Sequence, residues 1–117
     1  MNWNKLNSLD QLTEALAASY QKPILLFKHS TRCSISSTAL NRLERSWNGQ
    51  AEQVLTPYFI DLITYREVSN AIASGLGITH ESPQALVVVD GQCVFDASHL
   101  GIQLVDLVDS AQSAIKA

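Results

Sequence analysis

The stretch Lys28-His29-Ser30-Thr31-Arg32-Cys33-Ser34-Ile35-Ser36 decides how the rest of the chain is read. It follows an apolar run, Pro23-Ile24-Leu25-Leu26-Phe27, and leads into residues with helical spacing that end near Trp47. One cysteine therefore stands where a strand turns into a helix. Far along the chain, Ser82-Pro83 directly precedes Gln84-Ala85-Leu86-Val87-Val88-Val89-Asp90. The two segments are expected to form one site, with Cys33 as its working atom.

Working outward, Ile24 to Lys28 has the continuous apolar pattern of a strand covered on both faces. After it, Ile35, Ala39, Leu40, Leu43 and Trp47 recur at helical spacing, and Asn48-Gly49 reads as that helix's exit. Upstream, Ser8-Leu9-Asp10-Gln11 has the form of a capping box, and Leu9, Leu12, Leu16 and Ala17 share one helical face. Gln21-Lys22-Pro23 breaks this first helix. Val54 to Leu62 reads as the next strand, with Pro57 marking an edge, a bulge or a late start. Thr64 to Glu67 is a second capping box, and Val68, Ala71, Ile72 and Leu76 continue on one face up to Gly77. Gln84 to Asp90 is the strongest strand, Asp90-Gly91 a favoured hairpin turn, and Cys93-Val94-Phe95 the returning strand. A final helix carries Leu104, Val105, Leu107, Val108, Ala111 and Ile115 as its apolar stripe.

A chain of 117 residues has room for one domain, spanning 1–117. The order is helix, strand, helix, strand, helix, strand, strand, helix. A βαβ unit followed by a ββα unit predicts an α/β fold with a mixed four-stranded sheet, helices on both faces and an added N-terminal helix. An apolar share of 46% suits a compact core. Lys and Arg number 8 against 11 Asp and Glu, net charge −3, and no basic run is present. That argues against a nucleic-acid partner. No stretch approaches the roughly 20 apolar residues of a membrane helix, so no membrane partner is expected. Asp10 and Glu14 interrupt the region where a signal peptide would be apolar, and the chain is read as cytoplasmic. Two widely spaced cysteines make neither a disulfide framework nor a zinc pattern, so no metal is expected.

The thiolate is the form that attacks disulfides. At a helix N-terminus, unpaired backbone N–H groups and the macrodipole favour negative charge on Cys33. Arg32 adds a nearby positive charge if its side chain turns toward the sulfur. A dithiol oxidoreductase carries Cys-x-x-Cys, whereas here the fourth position is Ser36. Cys33 therefore has no local partner for a disulfide, and any mixed disulfide it forms must be resolved by a second molecule. Ser36 is placed to donate a hydrogen bond back to a sulfur one turn away.

Pairing through the Asp90-Gly91 turn puts Val89 opposite Gln92, Val88 opposite Cys93 and Ser82 near His99. Cys93 then lies beside the turn, about 15 Å or more from Pro83 at roughly 3.3 Å per residue, too far for a disulfide. It reads as a small buried apolar residue. The same pairing brings His29, His80 and His99 to the Cys33 edge of the sheet. Each would support a thiolate if protonated or relay a proton if neutral. The alternative is that strand-end histidines are merely hydrated. A phosphatase-like Cys-x5-Arg loop is excluded because the matching position is Ala39.

The element order, with a cysteine after the first strand and a proline opening the hairpin, resembles the thioredoxin fold. The run Phe27 to Ser36 resembles the YtxJ-type monothiol bacilliredoxins, which carry His-Ser-Thr leading into Thr-Cys-Pro-Ile-Ser. Ser82-Pro83-Gln84 and Ala97-Ser98-His99 are similar to that family as well. The resemblance implies reduction of mixed disulfides between bacillithiol and protein cysteines, with Cys33 as nucleophile. It implies a cis Pro83 and an extended substrate pairing with Ser82. It also implies thiolated client proteins as partners and bacillithiol, or a similar low-molecular-weight thiol, as co-substrate, with no tightly bound cofactor. Two positions depart from the family pattern: Arg32 replaces Thr and Ser34 replaces Pro. Ser34 restores an N–H within reach of the sulfur but loosens the helix start. Two other readings stay open: a glutathione-dependent monothiol glutaredoxin, and a non-catalytic thioredoxin-like domain for binding or stress protection.

Overall fold

A computed structural model describes residues 1–116. The elements are β1 (Asn4–Lys5), α1 (Leu9–Ala18), β2 (Ile24–His29), α2 (Ser34–Ser46), α3 (Gly49–Val54), β3 (Thr56–Asp61), α4 (Arg66–Leu76), β4 (Gln84–Val89), β5 (Gln92–Ser98) and α5 (Leu104–Lys116). A 3-10 turn, His99–Gly101, joins β5 to α5. The sheet runs β1-β3-β2-β4-β5, with β1, β3 and β2 parallel and β4 and β5 antiparallel. It is thus a five-stranded mixed sheet, not four-stranded. The added strand is a two-residue edge whose side chains are both exposed, so it carries no apolar alternation to read.

Strand parity sorts the core into two layers. Leu25 and Phe27 of β2 pack with Ala39 and Leu43 of α2, Ala51 of α3, and Leu104, Leu107, Val108 and Ala111 of α5. Ile24 and Leu26 face the other way, onto Leu12 and Ala15 of α1 and Val68 and Ile72 of α4. Every residue of β2 and β4 is buried, as expected of central strands covered on both faces.

Three local readings are corrected. Asn48-Gly49 opens a helix rather than closing one: α2 ends at Ser46 with Trp47 as its C-cap, and Asn48 Oδ1 accepts from the Ala51 N–H at 2.9 Å as N-cap of α3. The following strand therefore starts at Thr56 rather than Val54. At α4 the N-cap is Tyr65, and the hydroxyl of Thr64 instead donates back to Asp61 Oδ2 at 3.0 Å. Finally, the β4–β5 register follows the hairpin only as far as Val88↔Cys93, then shifts to Val87↔Phe95. The bulge leaves Val94 outward and turns Phe95 onto the α2/α5 layer. It also moves Pro83, rather than Ser82, beside His99, whose N–H donates to Pro83 O at 2.9 Å.

Candidate functional site

The site forms at the edge where β2 ends and β4 begins. The last rung of their ladder pairs Lys28 with Gln84, so Pro83 and Ser82 lie just past it, beside His29 and the loop to α2. Cys33 N–H closes a turn onto Ser30 O at 3.3 Å, and Cys33 O accepts the first helical bond, from Ser37 N–H at 3.2 Å. Cys33 is thus the N-cap of α2, with extended backbone and no side-chain capping bond of its own. Its thiol is free and half-buried, while Arg32 and Ser34 on either side are exposed. The Ser82–Pro83 bond is cis, and Ser82 Oγ is buried without a hydrogen-bond partner among the described residues. The 3-10 turn forms a third wall, held against α2 by Arg42, which donates to Leu100 O at 2.7 Å and Ile102 O at 2.8 Å.

Ser36 does something other than bond a sulfur. It is fully buried, accepts the Ser30 N–H at 3.0 Å and lies 2.7 Å from His29 Nδ1. One hydroxyl therefore binds the end of β2, the loop before Cys33 and the first turn of α2. His29 is not a hydrated strand end. It is buried, its ring 5.5 Å from that of Phe59 and 6.4 Å from that of Phe27. Burial lowers its pKa, against the opposing pull of Asp61 and Glu44, so the ring is held neutral. A neutral imidazole at this place fixes geometry through Ser36.

The other two histidines face carboxylate or amine partners. His99, with left-handed φ of 56°, places Nε2 3.6 Å from Glu81 and stays half exposed. His80 Nδ1 lies 3.2 Å from Lys28 Nζ. Burial, then the Lys28 charge, lowers the His80 pKa, which favours the neutral ring as acceptor. The Lys28 partnership was not anticipated, although the strand's parity puts Lys28 beside Leu26 on the α1/α4 face. Gln84 is a further buried polar residue that was missed as part of the site. Cys93 is half-buried beside the hairpin turn, opposite Val88, and burial pushes its thiol pKa up. Its partner Val88 lies five residues along β4 from Pro83, about 16 Å at roughly 3.3 Å per residue.

Residues 4–107 match the monothiol bacilliredoxin BrxC family. The chain belongs to the monothiol bacilliredoxin family. Among solved structures, an oxidoreductase with a thioredoxin fold is 29% identical, with TM-score 0.76, the match covering 92% of this chain and 91% of that one. Thioredoxin from Malassezia sympodialis is 16% identical at TM-score 0.72, covering 96% and 90%. Thioredoxin from Trypanosoma brucei brucei is 14% identical at TM-score 0.71, covering 99% and 93%. The last two establish the thioredoxin fold, and family membership establishes a thiol redox role for this bacilliredoxin. No helix among the described residues is long and apolar enough to cross a membrane.

Proposed function

We propose that this bacilliredoxin removes bacillithiol from thiolated client proteins in the cytoplasm, with Cys33 as nucleophile. The Cys33 thiolate attacks the bacillithiol sulfur of the mixed disulfide. The client leaves as a thiolate, and Cys33 now carries bacillithiol. A second bacillithiol thiolate attacks that sulfur, releases the Cys33 thiolate and forms bacillithiol disulfide, so the disulfide bond passes from the client to bacillithiol and one free bacillithiol is oxidised for each client thiol released. The observation that carries this reading is the lone thiol at the mouth of α2, with Ser36 occupied by His29 and Ser30. Resolution from within the chain is unsupported, because Cys93 lies far along the hairpin.

The surroundings suit a protein substrate. Ile35 and Leu100 expose apolar side chains beside the site, 42% and 55% accessible. Ser82 lies past the last β2–β4 rung, so its backbone groups are outside that ladder and available to an extended client segment. Arg32 and Ser34 flank the sulfur, Arg32 as a charge for anionic thiols and Ser34 as a further N–H at the helix start. Removal of bacillithiol from a thiolated protein tests the reading: Cys33→Ser abolishes it and Cys93→Ser leaves it intact. Equal activity of the two variants would contradict it. Parallel substrates carrying glutathione instead of bacillithiol identify the thiol, with faster bacillithiol removal expected.

A further inference from the structure

Lys28 is fully buried at a place where stability alone favours a hydrocarbon. Its neighbours on the same face of β2, Ile24 and Leu26, are buried apolar residues. Burial pulls its amine down to about 8, the mark of a charge held out of water at a cost. Its amine lies 3.2 Å from Nδ1 of His80, in the loop that leads to Pro83. Gln84, directly opposite Lys28 on β4 and fully buried, grips the same loop. Its Nε2 donates to Thr79 O at 3.1 Å, and its Oε1 accepts from Glu81 N–H at 3.3 Å. Two buried polar side chains from adjacent strands thus hold three consecutive residues, 79, 80 and 81. Beyond them Pro83 O is held by His99 N–H. Ser82 sits between these anchors, its own hydroxyl without a partner among the described residues.

We propose that Lys28 is a positioning residue: through its hydrogen bond to His80 it fixes the Thr79–Pro83 loop, so that the Ser82 backbone meets an extended thiolated peptide in register. This rests on the bacilliredoxin activity proposed above. His80 is the acceptor, with its ring proton on Nε2. Arg66 also lowers the His80 pKa and Glu81 raises it. The role concerns peptide docking and not the reactivity of the sulfur.

The test compares three readouts in Lys28→Met, His80→Ala and His80→Asn. The first is reduction of a synthetic peptide with one cysteine carrying bacillithiol. The second is alkylation of Cys33 by iodoacetamide, which needs no peptide docking. The third is amide hydrogen exchange over residues 79–83. Lys28→Met and His80→Ala are expected to raise KM for the peptide about tenfold, the equivalent of one charge-assisted hydrogen bond, with kcat and alkylation little changed. Exchange over the loop quickens in both. His80→Asn, whose amide oxygen replaces Nδ1 as acceptor, restores KM and exchange. Lys28→Met melts no lower than the parent at pH 7, which separates docking from folding. Unchanged KM and unchanged loop exchange in both variants would overturn the proposal, as would a fall in alkylation parallel to the loss of peptide reduction. A parent protein inactive on the peptide refutes the bacilliredoxin activity instead, and the exchange data still decide whether Lys28 holds the loop.

Discussion

At the residue scale, Ser36 stands where a dithiol enzyme of this spacing has its second thiol, but its hydroxyl does different work. It ties the end of β2 to the first turn of α2 and holds the loop that presents Cys33. Removing it in Ser36→Ala leaves His29 Nδ1 and the Ser30 N–H buried without a partner. The expected loss is about 1–3 kcal/mol in urea unfolding, with slower exchange at Cys33. A loss under about 0.5 kcal/mol would show that water or repacking replaces the hydroxyl. The position of Cys33 at the start of α2 was legible, because a strand leading into a helix with one thiol and no Cys-x-x-Cys is a local pattern. The partners of Ser36 and Lys28 were not, because they depend on which way neighbouring residues face. His29 and Lys28 are adjacent in sequence yet serve opposite faces of the sheet, one toward α2 and the other toward α4.

At the element scale, the strands and helices with strong apolar periodicity form where their patterns place them. Those with weak patterns escaped. The edge strand β1 is two exposed residues, and α3 is a six-residue helix whose start looks like the end of another. Asn48 caps α3, so Asn48→Ala should cost about 1 kcal/mol by loss of that cap. Chemical denaturation at constant slope measures it. No loss would mean that packing of Ala51 alone fixes α3. The β5 bulge was also invisible, since a two-residue turn sets register only for the rungs beside it. The bulge matters to the site because it decides that His99 lies beside Pro83.

At the scale of the whole molecule, three buried or partly buried bases make stability depend on pH. Lys28 has a folded pKa of about 8 against 10.5 unfolded. Below about 8 both states carry its proton, and the fold bears the full desolvation cost, on the order of 3 kcal/mol. Between about 8 and 10.5 the unfolded state binds more proton, so stability rises with pH. Lys28→Met should flatten that rise. The histidines act lower: His29 and His80 are lowered from 6.5, so their contribution is present above that pH and is lost as pH falls below it. Burial raises the Cys93 and Tyr58 pKa values, which lowers stability at the alkaline end, so unfolding free energies of the parent and of Lys28→Met are compared from about pH 5 to 10; the same pH dependence above about pH 8 in both proteins would contradict the Lys28 assignment. The global topology was legible because each element's period agreed with one sheet order; the polar cluster under the Pro83 loop arises only once β2 and β4 lie side by side.

The central claim is that Cys33 alone takes the low-molecular-weight thiol from a client. Intact-mass measurement after mixing the protein with a bacillithiolated client tests it most directly. The account predicts a single bacillithiol adduct, located at Cys33 and absent in Cys33→Ser, with the client's mass falling by the same increment. An adduct on Cys93, or an internal Cys33–Cys93 disulfide, would contradict it.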